Sequence, residues 1–520
     1  MVNIRKHTLW LAVMLSLIFF MQGFFGNQQK SLTWDEPSYI SAGYTYLKWN
    51  DFRLNPSHPP LMQDLEALPL LFMDLNVPSR EDPGFRNNIN PVVEFGRRFI
   101  FESGNDFLSI TRWARLPVLF LGSFLVLALY LWGTELYGHG PALLATAIAA
   151  FSPNLLAHSK VATEDLGCTA LMFMAVWTFW RALKLGRLAD WLLCGLVTGL
   201  ALISKYTALL LGPIFIVLAV GYWWRNRNNL TLIVLLRGGA MVAAVALFVV
   251  GAGYNFSFDY SLYLEGVKKL YTDYPSGFQY YLYGMVLDEP VWYYYLAAFL
   301  VKVPESIMLF LVFTFCRAVI DRKRDEATLF LLVPAAAIIL VSCFDRHNLG
   351  LRRILPAFPF LFLFIASTAR GIMGNSRKIF IGVMLGWLLF DAWNIYPHHL
   401  SYFNTIAGGP KRGPYLLDDS NIDWGQDLPA LAAWQHEQYG GRPIKLFYNG
   451  SADPVAYGVN PLQMDQGEIM FPQPGIYAIS AHNLVFFRTI SVNDGYDVDW
   501  LTKYRPIAFA GNSIYIYSFP

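Results

Sequence analysis

Apolar residues along this chain gather into runs of membrane-spanning length. A helix needs about 20 consecutive apolar residues to cross a bilayer. Runs at or near that length lie at 8–25, 115–134, 140–157, 166–183, 189–204, 206–223, 236–253, 293–316, 327–343, 354–370 and 377–395. They predict about eleven spans, the third to sixth short or nearly fused. The first run follows MVNIRKH, which has the basic start of a signal peptide. Its length, and the lack of a small-x-small cleavage site after it, make it a retained span.

The polar residues between the runs orient them. Short cytoplasmic loops are enriched in Lys and Arg. With the N-terminus cytoplasmic, the inner side receives Arg5 and Lys6, then Arg181, Lys184 and Arg187, then Arg225 and Arg227, then Arg317, Arg322, Lys323 and Arg324, and finally Arg370, Arg377 and Lys378. One cluster breaks the pattern: DRHNLGLRR at 345–353 puts Arg346, His347, Arg352 and Arg353 outside. Two large segments are then outside, 26–114 and the C-terminal 396–520. A tyrosine-rich third, near 254–292, suits an aromatic belt or a re-entrant or amphipathic helix. Beyond residue 395, Gly, Pro, Asp and Asn become frequent, and turn residues bound the short runs IKLFYN, GIYAIS and SIYIYSF, which predicts a small mixed α/β domain. The expected fold class is a polytopic α-helical membrane protein over 1–395 with an extracytoplasmic α/β domain over 396–520.

Composition agrees. The chain is 55% apolar and 15% charged, against about 25% charged in an average soluble domain. A net charge of +2 says nothing about partners, and no basic tail or arginine-rich run suggests nucleic acid. Cys168, Cys194, Cys316 and Cys343 all sit in apolar runs and show no metal-ligand spacing, so they read as buried free thiols rather than a disulfide framework.

Candidate chemistry lies at the outer span ends. TWDEPSY places Asp35 and Glu36 just after the first span. Capping by Thr33, with acidic residues and Pro37 in the first helical turn, accounts for one carboxylate. It accounts less well for a pair at the membrane boundary in an aromatic setting. A second acidic pair, Glu164 and Asp165 behind Thr163, opens the fourth span. His58, in the stiff turn of HPPL, can aim an imidazole at the carboxylates, although a plain turn histidine explains it as well. Lys205 lies between two apolar runs, where a lysine is costly unless it snorkels or pairs. Arg352 and Arg353 would suit a lipid phosphate, because guanidinium matches phosphate geometry.

These segments carry a resemblance. WDEPSY at 34–39, NPSHPPL at 55–61, HSKVATEDLG at 158–167, GLALISKYTALLLGP at 199–213, HNLGLRRILPAFPFL at 347–361, YFNTIAGGP at 402–410 and DDSNIDWGQDLPAL at 418–431 resemble, in order, the GT-C type glycosyltransferases. Within that type, the chain is similar to bacterial relatives of the protein O-mannosyltransferases and the lipid A aminoarabinose transferases. The resemblance implies transfer of a sugar from a polyprenyl-phosphate carrier to an acceptor hydroxyl on the outer face, with inversion. It makes Asp35 the base, Glu36 its partner in the acidic pair and Asp165 the second acidic site. It gives Lys205, Arg352 and Arg353, with His58 beside them, to the lipid phosphate. Some GT-C enzymes use a divalent metal, and no ligand spacing here demonstrates one. The acceptor stays open among protein, lipid and glycan, and Trp424 in IDWGQD can serve as a sugar platform or as a structural turn. The competing readings are a flippase or transporter of lipid-linked sugar, which would place its ionisable groups nearer the midplane, and a non-catalytic carrier-binding protein.

Overall fold

The computed structural model describes residues 2–81, 91–227, 231–272, 279–320, 325–345, 347–371 and 374–520. Arg346, the basic cluster at 322–324 and part of the tyrosine-rich segment lie outside the described residues.

Every predicted apolar run is helical. Among the described residues, eight helices are long and apolar enough to cross a membrane, and the number is ten if two bent pairs each count as one span. The expectation of about eleven is met by these ten and one shorter apolar helix. His139–Ala150 and Pro153–Ser159 meet at 60°, and Tyr294–Lys302 and Glu305–Ile320 at 113°. Proline makes both breaks: Pro153 and Pro304 lack an N–H and push the residue before them out of helical geometry. Ser152 and Val303 are extended, with ψ of 115° and 134°. The eleventh run is the 15-residue helix Leu188–Leu202, about 22 Å long against a hydrocarbon core of about 30 Å.

Small residues bring the helices together. Leu188–Leu202 packs on Leu232–Gly253 at Gly195 and Gly199, where an added Cβ would fall 2.6 and 2.5 Å from Cβ of Val245 and Val249. Association in lipid relies on such close packing, because lipid tails are as apolar as the side chains. Cys168, Cys194 and Cys343 are buried, whereas Cys316 is exposed on its helix, contrary to expectation.

The segment between the first two long apolar helices is built on helices α1 (Glu36–Trp49) and α2 (Pro60–Ala67). Gly43 on α1 meets the α2 backbone so closely that a Cβ would lie 1.9 Å from the Gln63 carbonyl oxygen. The second of them, α2, packs on α3 (Phe107–Tyr137) and α4 (Glu164–Leu185). The tyrosine-rich segment supplies the amphipathic helix α5 (Tyr260–Thr272) and an antiparallel hairpin of β1 (Tyr280–Leu282) and β2 (Met285–Leu287).

Beyond the last span, β3 (Ile444–Phe447), β4 (Pro461–Gln463), β5 (Gly475–Ser480), β6 (Ala508–Ala510) and β7 (Ile514–Phe519) form a sheet in the order β4-β3-β5-β7-β6. β3 is parallel to β4 and β5, and β7 is antiparallel to β5 and β6. The three strand-like runs read from the sequence are β3, β5 and β7. Trp500 is fully buried against Tyr477, Tyr517 and Phe519. One apolar cluster runs from Phe173 and Phe360 among the long helices to Tyr477 and Trp500, so the sheet domain is packed onto the helical body rather than tethered to it.

Candidate active site

The two halves of WDEP have different surroundings. Glu36 is fully buried. Arg115 on α3 donates from Nε to its Oε1 and from Nη2 to its Oε2, both at 2.6 Å. Ala162 N–H donates to Oε1 at 2.8 Å, and Thr33 donates to Oε2 from its backbone N–H at 2.6 Å and its hydroxyl at 3.0 Å. Thr33 is therefore not the expected cap of α1. Asp35 holds that position without a side-chain capping bond. Thr163 does hold the N-cap position of α4, but its hydroxyl has no partner. Both oxygens of Glu36, the expected partner of Asp35 in the acidic pair, are hydrogen-bonded, and Glu36 does not line the cavity below, which is the geometry of a fastener.

Asp35 does line it. The chamber, about 290 Å³ in volume, is walled by Trp34, Asp35, Tyr39, His58, Glu164, Lys205, Arg352 and Arg353 among others. Asp35 is 28% exposed, and its Oδ2 accepts from Arg352 Nη1 at 3.2 Å. Lys205 Nζ lies 2.9 Å from Glu164 Oε1 and 2.6 Å from Asp165 Oδ1. Asp165 stands behind Lys205 and Arg352 and is not part of the chamber wall, and its Oδ2 is 3.8 Å from Arg352 Nη1. His58 Nδ1 sits 2.9 Å from Glu164 Oε2, and the Tyr39 hydroxyl is 3.2 Å from both ring nitrogens. Arg353 Nη1 lies 3.7 Å from Asp345 Oδ2.

Charge is balanced but hydrogen bonding is not complete. Arg352 Nε and Asp165 Oδ2 are buried without a hydrogen-bond partner among the described residues. Burial penalises the Lys205 ammonium, but Asp165 and Glu164 more than offset this, so its pKa is raised and it stays charged. Burial, with Glu164, Asp35 and Asp165 adding to it, pushes the Tyr39 phenol well above its ordinary range, so it serves as a neutral hydrogen-bonding group. Among the described residues, no group of three His, Cys, Asp or Glu side chains converges as a metal site. The carboxylates are instead engaged by Lys205, His58 and Arg352, a donor set that does not fit a divalent cation.

A second cavity, about 490 Å³, adjoins the chamber and shares Tyr206, Thr207 and Arg353 with it. Leu209, Leu210, Leu340, Val341 and Phe344 give it an apolar wall, and Asp345, His347 and Arg353 lie at its polar end.

Comparison with known proteins bears on this arrangement. The family model described as dolichyl-phosphate-mannose-protein mannosyltransferase matches residues 107–251. No curated protein matches the chain by sequence. ArnT from Cupriavidus metallidurans in the apo state superposes with a TM-score of 0.51 at 11% identity, over 97% of each chain. The same protein bound to undecaprenyl phosphate gives 0.50 at 10% identity, again over 97% of each chain. The Archaeoglobus fulgidus oligosaccharyltransferase in its apo form gives 0.52 at 11% identity, over 96% of this chain and 72% of that one. The chain has the GT-C fold. The resemblance read from the motifs therefore stands at the level of architecture: an integral membrane protein sharing this fold, with a mixed sheet domain at its C-terminal end.

Within this GT-C fold, tertiary structure brings Asp35, His58, Lys205, Arg352 and Arg353 to one chamber, sets Asp165 behind it and excludes Glu36. Sequence reasoning gave no role to Tyr39 or Arg115, and it left Trp424 between a sugar platform and a structural turn. For Arg115 a signal existed: a cation opening an apolar run needs a partner. Tyr39 stands in an aromatic-rich stretch that gave no reason to single it out.

Proposed function

We propose that the protein transfers a sugar from a polyprenyl-phosphate carrier to an acceptor hydroxyl at the outer face of the membrane, with inversion. The observation that carries this reading is the junction of the two cavities at Arg353, Tyr206 and Thr207. An apolar groove running into a cationic, carboxylate-lined chamber fits a lipid tail followed by a phosphate and a sugar. The undecaprenyl phosphate bound to the similarly folded ArnT supports the same class of carrier.

In this mechanism Arg352, Arg353 and Lys205 receive the carrier phosphate. Asp35, the most accessible of the carboxylates at the site, takes the proton from the acceptor hydroxyl. The acceptor oxygen bonds to the anomeric carbon on the face opposite the phosphate, and the carbon–oxygen bond to phosphate breaks. The carrier phosphate leaves with the bonding pair, and its added charge falls on the guanidinium and ammonium groups. Glu164 and Asp165 hold Lys205 and, with Asp35, compensate the cations while the chamber is empty. The orientation that suits this chemistry has a cytoplasmic N-terminus and an outer C-terminal domain, in a bacterial plasma membrane.

The test is sugar release from radiolabelled undecaprenyl-phosphate hexoses and pentoses, with wild type and Asp35→Asn compared in detergent. Transfer or slow donor hydrolysis by wild type alone is expected, and the active donor names the sugar. Neither turnover nor carrier binding by wild type, with any donor, would remove the reading.

A further inference from the structure

The segment 418–427, DDSNIDWGQD, has no part in the reaction above, yet it grips both sides of the chamber. On one side it holds the acidic loop. Ser31 N–H donates to the Gln426 carbonyl at 3.1 Å, and Trp34 N–H donates to the Trp424 carbonyl at 2.8 Å. The Ser31 hydroxyl donates to the Gly425 carbonyl at 2.7 Å, and Lys30 is ion-paired with Asp427. On the other side it holds the arginine loop, where Leu351 N–H donates to Asn421 Oδ1 at 3.0 Å. Two glycines permit this approach. Gly350 has φ +79°, and a Cβ on it would lie 2.5 Å from Ser420 Oγ; Gly425 has φ +86°, and a Cβ on it would lie 2.6 Å from the Tyr448 hydroxyl.

Trp424 stands between these anchors. It is 3% exposed and packs with Ala157, Val161 and Leu400. Its backbone N–H donates to Gln426 Oε1 at 2.7 Å. The Arg352 guanidinium carbon lies 4.4 Å from its ring centre, within the range of a cation–π contact. A ring so covered cannot be a sugar platform. It is a shelf for the arginine whose Nη1 reaches Asp35 and whose Nε is unpartnered.

We infer that Trp424 is a positioning residue: its indole face holds the Arg352 guanidinium where a carrier phosphate enters, so the C-terminal domain completes the site. The inference rests on the phosphate-carrier reading above. A long arginine side chain loses rotamer freedom when it grips a ligand, and a ring that fixes it beforehand lowers that cost. Stacking needs a planar cation and an aromatic face, so lysine cannot replace arginine and leucine cannot replace tryptophan.

The experiment measures binding of undecaprenyl phosphate to the full chain in detergent, with folding followed by thermal melting. Trp424→Leu is expected to weaken binding about tenfold, the scale of a desolvated cation–π contact. Trp424→Phe is expected to stay within about threefold of wild type, because it keeps an aromatic face. In an Arg352→Ala background, Trp424→Leu is expected to add less than about twofold, because the shelf then has nothing to hold. Arg352→Lys, which leaves Trp424 in place, is expected to lose about tenfold as well. Wild-type affinity in Trp424→Leu or in Arg352→Lys would overturn the inference. So would an equal loss from Trp424→Leu with and without Arg352, which marks a purely structural residue. Wild type that fails to bind the carrier removes the donor reading and this inference together, whereas wild-type binding with an additive cycle removes the inference alone.

Discussion

Asp35 and Glu36 are neighbours in sequence and opposites in setting. Around Glu36, Arg115 forms a closed node: it donates to both carboxylate oxygens, to Asn27 Oδ1 at 2.5 Å and to the Ser31 carbonyl at 2.7 Å. Around Asp35, Arg352 forms an open one. It makes one hydrogen bond to a part-exposed carboxylate, rests on Trp424 and leaves Nε unpartnered. A buried ion pair with its hydrogen-bonding capacity used up fixes chain segments to each other. A guanidinium beside a cavity with an unpartnered nitrogen keeps hydrogen-bonding capacity in reserve.

The comparison can be broken most sharply at Asp35. Asp35→Asn is expected to lower turnover about 10²- to 10⁴-fold, the range of general-base catalysis. Its melting temperature should match wild type, because only one 3.2 Å bond is altered. Wild-type turnover in this variant would leave the open node without a base. The closed node should respond the other way. Glu36→Ala, or Arg115→Ala, is expected to cost about 3–5 kcal/mol of stability, because the surviving partner is a buried uncompensated charge. This would be seen as a large fall in melting temperature. An equally stable Glu36→Ala protein without turnover would make Glu36 the functional carboxylate after all.

Arg353 sharpens the open side. It lies where groove and chamber meet, so Arg353→Ala is expected to weaken undecaprenyl phosphate binding about ten- to a hundredfold, the worth of a charged hydrogen bond. Unchanged binding would assign the phosphate to Arg352 and Lys205 alone.

The smallest effect concerns the segment that joins the two nodes. His482 N–H donates to Asp423 Oδ2 at 3.1 Å, and its Nδ1 sits 2.9 Å from Asp418 Oδ2. Burial lowers the imidazole pKa, but Asp418 more than offsets this, leaving it pushed up to about 9. A folded-state pKa above the ordinary value of about 6.5 gives stability that is complete below that pH and lost as pH rises through about 9. Melting temperature should therefore decline modestly from pH 7 to 10 in wild type and less in His482→Gln. Parallel pH profiles would show that the pair does not stabilise this segment.

Much of this was legible in the sequence, and for identifiable reasons. Apolar runs report their own burial, so each emerged as helix, two of them broken at a proline. The strands β3, β5 and β7 announced themselves by β-branched and aromatic residues between turn formers. What failed was local geometry at Pro153 and Pro304, where hydropathy ran smoothly across a sharp bend. At the site, the exception to the charge pattern at 345–353 led to Arg352 and Arg353. The acidic pair was found but could not be divided.

The sequence by itself determined which segments are long and apolar enough to cross a membrane and that acidic and basic groups crowd the ends of some of them. Both follow from side-chain transfer energies that act residue by residue. Only tertiary structure decided which carboxylate is fastened and which lines the chamber. Glu36 is closed by an arginine 79 residues away, Asp35 meets one 317 residues away, and Trp424 arrives from beyond the last span to carry that second arginine. A carboxylate's role depends on whether its oxygens are already paired, and those partners are distant in the chain.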